Sequence, residues 1–419
     1  MGVVRLAFQS LKSDKLKSLF YFLSFVLTTI FIFLFFNLTL NPHTGINLGG
    51  RDETIVTPIA VFVIFIAMLC VFMANDFYVH AKSKDISIVL MSGASVYKVG
   101  AYLLLQSLAI MVVAIPVGLL LAYFLVPVVN HICYLAFDYQ GNINYISQNS
   151  FLATAIILFC EIGWCTYLNM GYCYRTNVNT MITDSIKMEN FGFEIKKPSN
   201  IVYLLAFIIP IFVFPFLSSV EDYLLLSLVG VFGLYGVIKH IVPEVLSRLQ
   251  KDRGIENRYL LITFGNVKYD FQKIRMIVIL VMMASIILMC STLYTIMTPL
   301  VSMIVLLSYF SVMVLLSVTT IFKMGMELKN RQKAFTNLFY LGYRINELKK
   351  IINYEMIIFY GMIMIIPMVY QIIMVSRLYF LGLITPYLII VMALIEIIPM
   401  LLCLIITTVM YYRILPKAI

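Results

Sequence analysis

The chain carries ten apolar stretches, each close to the ~20 residues that a helix needs to cross a bilayer. They fall near 18–40, 54–79, 99–129, 150–172, 201–219, 222–241, 276–296, 299–322, 351–375 and 384–412. The first is long enough to span and is followed by others, so it reads as a retained helix. Hydrophobic residues make up 62% of the chain and charged residues 12%. A soluble domain is nearer half apolar and a quarter charged, so the surplus apolar surface must face lipid. The expected fold is an all-α polytopic membrane protein. The third stretch is long and contains Pro116, Gly118 and Pro127, which predicts a kink or an extension beyond the bilayer. Pro299 suits the start of the eighth span.

The net charge of +10 is placed as topogenic charge, in short basic clusters between apolar stretches, and not as a nucleic-acid patch. With the N-terminus in the cytoplasm, Arg5, Lys12, Lys15 and Lys17 lie inside, followed by Lys82, Lys84 and Lys98. Further clusters include Lys187, Lys196 and Lys197, then Lys239 through Arg275, then Lys323 through Lys350, and finally Arg413 and Lys417. Of the 30 Lys and Arg residues only Arg51 and Arg377 fall outside. That asymmetry predicts ten spans and two cytoplasmic termini in a cell membrane. The outer loops are short, the longest near 130–150. The seven cysteines form no CxxC pair and the four histidines are scattered, so neither a disulfide framework nor a metal site is expected.

The chain repeats itself in order. Phe8, Lys12, Asp14 and Lys17 match Phe264, Lys268, Asp270 and Lys273 at one constant offset. Lys82, Lys84, Ile86, Gly93 and Val99 align with Arg331, Lys333, Phe335, Gly342 and Leu348, and the same alignment sets Gln106 opposite Glu355. Glu161-Ile162 resembles Glu396-Ile397. Spans one to four then correspond to spans seven to ten. Both copies start inside, so the repeat is parallel, with a helix pair between the copies. The expected segments are 1–175 (first four-helix repeat), 176–257 (cytoplasmic loops and the central pair) and 258–419 (second repeat).

Each copy has one basic amphipathic loop. Ile86, Val89, Leu90 and Gly93 share helical spacing, as do Phe335, Leu338, Phe339 and Gly342. Each loop is expected to form a short helix at the cytoplasmic surface, ended by its glycine. An interfacial anchor is one reading; a docking element for a cytoplasmic partner is the other. Gln106 and Glu355, one turn into their spans, are expected to tie loop to span. Asp76 is placed to pair with a lysine such as Lys82. Glu161 and Glu396 sit within apolar spans, where an acid is costly and marks either a functional site or a helix-locking hydrogen bond.

The run Lys84-Asp85-Ile86 through Met91-Ser92-Gly93-Ala94, and its counterpart from Arg331 through Leu341-Gly342-Tyr343, resembles the FtsX-type permeases of ABC transporters. Ten spans in two four-helix units most resemble the bacitracin-export-type (BceB-like) subgroup. The resemblance covers nearly the whole chain. It departs at Gln106, where the family usually has an acid, and at Ala334 opposite Asp85. It departs most between spans seven and eight, where relatives carry a large extracellular domain and this chain has a turn near Thr298-Pro299. The resemblance implies a permease coupled to two copies of a separate cytoplasmic ATPase, which would bind the ATP and Mg. It also implies a hydrophobic or peptide substrate, with antimicrobial-peptide resistance as the usual role. The coupling residues would be Lys84, Asp85, Ile86, Leu90, Gly93, Arg331, Phe335, Leu338, Leu341 and Gly342. The chain has no GxxxxGK[ST] motif, so no cofactor is expected on it and no catalysis of its own. The alternatives are a signalling or scaffold membrane protein that controls a sensor kinase or a wall hydrolase, and an ion- or proton-coupled carrier using Glu161 and Glu396.

Overall fold

The computed structural model describes residues 3–41, 51–137, 141–175, 199–217, 220–252, 257–294, 299–380, 382 and 386–415. Lys187, Lys196, Lys197, Lys417 and Thr298 lie outside these residues, as do the side chains of Arg51 and Lys84. The described residues form helices and connecting turns, with no strand among them.

The chain divides into two compact units. The first comprises Met1–Phe191 and Pro299–Leu307, the second Gly192–Thr298 and Ser308–Ile419. The first holds α1 (Val3–Ser13), α2 (Lys15–Thr39), α3 (Arg51–Ala81), α4 (Ser83–Met91), α5 (Val96–Phe137) and α6 (Gln148–Arg175). Here α2 packs on α3, α5 and α6, and both α1 and α4 lie on α5. The second holds α7 (Asn200–Val213), α8 (Val220–Gly236), α9 (Val242–Asp252), α10 (Arg258–Tyr294), α12 (Ile345–Phe380) and α13 (Pro386–Ile414). Helix α11 (Pro299–Tyr340) begins in the first unit and continues in the second. In the second unit α10 packs on α12, α8 and α9, and α7 pairs with α8. The central pair thus groups with the second unit.

Helix starts follow local chemistry. Pro299 opens α11, as its fixed φ and missing N–H allow. The Ser199 hydroxyl accepts from the Ile201 N–H to cap α7, and the Asn257 side-chain Oδ1 accepts from the Tyr259 N–H ahead of α10. Glu347 reaches back to accept from the Arg344 N–H at 2.8 Å, the carboxylate half of a capping box for α12.

Nine helices among the described residues are long and apolar enough to cross a membrane. The expected tenth, from 201 to 219, is shorter: Asn200–Phe216, with Pro210 inside α7 and a 3₁₀ turn around Pro215 ending it. Proline removes a backbone donor and crowds the preceding turn, which stops the helix early. Enclosure varies between helices. In their most apolar windows α2, α10 and α11 are 61%, 61% and 67% buried, against 22% for α6. Large apolar side chains such as Phe124, Phe159 and Phe212 stay exposed on the peripheral helices. Water would penalise that surface; a lipid surround does not.

Several helices run past their apolar parts. Helix α5 has 42 residues, including Pro116 and Pro127. At ~1.5 Å per residue it is about 63 Å long, roughly twice the hydrocarbon thickness. Helix α10 begins at Arg258, so Lys268, Asp270 and Lys273 are helical rather than a lead-in loop. Lys239, expected in a loop, lies in a π-helical turn, Val237–Ile241, between α8 and α9. The largest difference concerns the second basic loop. It forms no separate surface helix: residues 323–340 continue α11 without a break. Glu327 and Arg331 within it pair with charges on neighbouring helices, so their burial does not oppose a continued helix. In the first unit Lys82 does interrupt the helix, between α3 and α4.

Candidate functional site

The two expected loops end in the same backbone motif. At the end of α4 the Gly93 N–H donates to Leu90 O at 3.0 Å and the Ala94 N–H to Val89 O at 3.3 Å. At the end of α11 the Gly342 N–H donates to Phe339 O at 2.9 Å and the Tyr343 N–H to Leu338 O at 3.2 Å. Both glycines are left-handed, with φ of 88° and 94°. This is a Schellman cap, which satisfies the last carbonyls of a helix and favours glycine because L side chains crowd the backbone there. The next helix starts three residues on in both cases, at Val96 and Ile345.

Side chains divide in the same way around each cap. Ile86 is buried among Ala7, Val79, Val99, Tyr102 and Leu103, with Leu90 partly buried beside it. Phe335 is buried, its ring edge-on to Tyr411, and Leu338 is half-buried. Beyond these anchors the tips are exposed. Ile88 and Met91 are each 60% exposed, and Tyr340 and Leu341 reach 80% and 77%. Asp85 is exposed as well.

A buried cation stands behind each tip. Lys82 Nζ lies 2.9 Å from Asp14 and 3.9 Å from Asp85, and donates to Ser10 Oγ at 2.8 Å. The expected partner Asp76 instead meets His80 at 3.2 Å. Asp76 sits one turn from His80 on α3, whereas the break at Lys82 turns its side chain toward α1. In the second unit Arg331 pairs with Asp270 on α10 and with Glu355 on α12, the latter at 3.0 Å. Asn266 donates to the other Glu355 oxygen at 2.6 Å. Lys273 pairs with Glu327 at 2.9 Å. Burial disfavours the Arg331 cation, but Glu355 and Asp270 outweigh it and hold its pKa above the usual arginine range.

Gln106 and Glu355 occupy related places with different partners. Glu355 joins span α12 to the end of α11 through Arg331. Gln106 joins span α5 to α1: it donates to Ala7 O at 3.2 Å and accepts from Tyr78 Oη at 3.3 Å. Asp14 and Asp270, noticed in the sequence only as repeat markers, are the acids that receive the two cations.

Deeper in the spans the two acids differ. Glu396 accepts from Tyr309 Oη at 3.1 Å, and Gln371 donates to the same hydroxyl at 3.2 Å. Glu161 is buried, and neither of its oxygens has a hydrogen-bond partner among the described residues. A polar file that sequence reasoning missed lies in the same unit. Tyr21 donates to Asn75 at 2.7 Å, Asn75 to Asn169 at 2.8 Å, and Asn169 to Ser107 at 3.2 Å. The available signal was two asparagines, Asn75 and Asn169, inside apolar stretches. No cluster of metal-ligating side chains occurs among the described residues.

Long apolar helices with a polar, hydrogen-bonded interior define an all-α, multi-pass membrane protein. Neither protein-family models nor curated proteins provide a match to the chain.

Proposed function

We propose that this chain is the permease subunit of an FtsX-type ABC transporter, most like the bacitracin-export-type subgroup. In this reading both termini are cytoplasmic, the short helix Asn200–Phe216 crosses the bilayer as a tenth span, and two parallel four-helix units flank the central pair. Its 17 residues fall at the low end of the range for a spanning helix. One observation carries the reading: at positions the repeat sets opposite each other, two helices end in the same glycine cap, with exposed apolar tips in front and a buried cation behind. An apolar tip held by a buried ion pair suits a part that receives force from a partner and passes it on. Lys82 ties the tip of α4 to the α1–α2 junction, and Arg331 ties the tip of α11 to α10 and α12. A push on either tip would then move several spans together.

Two such tips call for two copies of a cytoplasmic ATPase, which would supply ATP and Mg. Movement of the units would extract or expel a hydrophobic or peptide substrate from the membrane, with antimicrobial-peptide resistance as the corresponding role. The test is to purify the chain from its native membrane and measure the mass and ATPase activity of what accompanies it. Met91→Asp and Leu341→Asp, both at exposed positions, are expected to remove the ATPase without lowering the melting temperature. A chain that carries no ATPase, with function unaffected by either change, would sink the reading.

A second reading is an ion-coupled carrier. Glu161, without a hydrogen-bond partner among the described residues, favours it, as does the Tyr21–Asn75–Asn169–Ser107 file in the same unit. Activity in membranes lacking any ATPase, lost on Glu161→Gln, would favour the carrier. A signalling scaffold would instead keep its partner contacts with no flux at all.

A further inference from the structure

Between α12 and α13 of the second unit lies an open groove of about 330 Å³. Its walls are mainly Met356, Ile357, Leu404 and Ile405, with Asn353, Thr408 and the apolar Val409 toward one end. The helices are antiparallel neighbours here: Tyr412 donates to Asn353 Oδ1, and the Lys349 ammonium lies 5.9 Å from the Tyr412 ring centre. Lys349, Asn353, Met356 and Ile357 share one face of α12, as Leu404, Ile405, Thr408 and Tyr412 do on α13. Polarity is therefore graded along the groove. Lys349 and Tyr412 stand just beyond its Asn353 end. The lining then runs from the Asn353 amide and the Thr408 hydroxyl, beside Val409, to an end that is wholly apolar.

That order is the order of groups in a phospholipid: charged head, polar ester region, acyl chain. We propose that the groove binds one phospholipid with an anionic headgroup, taken from the leaflet on the Lys349 side. Charge complementarity selects the anion. Lys349, Lys350 and Arg413 at this end are exposed, and none has an ion pair among the described residues. The nearby acids are turned to other partners, Glu347 to Arg258 and Glu355 to Arg331. The apolar walls lie inside the spanning segments Ile345–Arg377 and Pro386–Ile414, where acyl chains are the abundant apolar ligand. The volume is at the small end for a ligand site, which fits part of one chain. Basic sites between helices near a membrane surface are suited to anionic headgroups. The inference does not depend on the permease reading.

The test is native mass spectrometry of the purified chain, titrated with phosphatidylglycerol or with phosphatidylcholine of the same acyl chains. Phosphatidylglycerol is expected to bind at least about fivefold more tightly. Lys349→Gln should weaken phosphatidylglycerol by about fivefold and leave phosphatidylcholine unchanged, while Lys349→Arg keeps the preference. Ile405→Trp, at a half-exposed groove position, should fill the apolar end and weaken both lipids. A thermal melt of each variant confirms that it is folded. Equal affinity for the two lipids would overturn the proposal, as would indifference to Lys349→Gln. Displacement of lipid by glycerol phosphate alone would also overturn it, because the acyl chain would then contribute nothing. So would a dimer that Ile405→Trp dissolves, because the groove would then belong to a second copy.

Discussion

Arg331, near the end of α11, is ion-paired with Asp270 on α10, 61 positions earlier in the chain. The pair is nearly closed to solvent, and Glu355 shares the same guanidinium at 3.0 Å. Removing one member of a buried ion cluster strands the others, which costs about 3–5 kcal/mol. Arg331→Leu leaves two carboxylates facing each other and is expected to fall in that range. Lys82→Met should cost less, about 1.5–3 kcal/mol, because Asp14 keeps Lys17 at 3.4 Å. Six of the seven cysteines are buried, so a thiol-reactive dye reports unfolding of both variants in detergent. Equal losses would show that the two cations are not held differently.

The two capping glycines separate backbone strain from crowding. A Cβ added at Gly93 or Gly342 meets nothing within 4 Å, so the left-handed φ alone opposes a side chain. Alanine at either position is expected to cost about 1–2 kcal/mol, and asparagine less, since it tolerates this conformation. The readout is the same melt. A loss much larger than this at either site would mean that the space is not open.

Close approach governs the glycines of α8. A Cβ at Gly233 would lie 2.3 Å from the Phe207 backbone N, and one at Gly236 would lie 1.9 Å from Tyr203. Backbone cannot step aside, so Gly233→Ala should force α7 away from α8 and cost about 1–3 kcal/mol or more. Gly163 in α6 has nothing within 4 Å of its built Cβ, so Gly163→Ala is expected to be neutral or stabilising by up to ~1 kcal/mol. Comparing the two melting temperatures checks both statements.

The intramembrane acids predict opposite sensitivities. Glu161→Gln removes no hydrogen bond to the described residues and should change stability by less than about 1 kcal/mol. Glu396→Leu leaves the Tyr309 hydroxyl without its acceptor and should cost about 1–3 kcal/mol. Transport assays on the same variants distinguish the two functional readings. A permease driven by an ATPase keeps its activity with Glu161→Gln, and a carrier that moves ions through that site does not.

Much of the fold was legible in the residues because lipid imposes a simple rule on them. Apolar runs of spanning length located nine helices, and Gly93 and Gly342 could be placed at helix ends because few other residues accept their backbone conformation. Hydropathy marks where a helix enters lipid, not where the helix stops. Only the tertiary structure could decide that α10 and α11 continue through Lys273, Glu327 and Arg331, because charges continue a helix when partners on other helices neutralise them. The same limit hid the partner of Lys82. Asp76 is close in sequence, yet the helix interruption before α4 delivers the lysine to Asp14, and that choice depends on how α1 packs. The sequence by itself determined a multi-pass helical protein with two glycine-ended, basic segments. Which acid meets which cation, and which glutamate stands without a hydrogen bond, was decided by packing, since those contacts join residues some 60 to 90 positions apart.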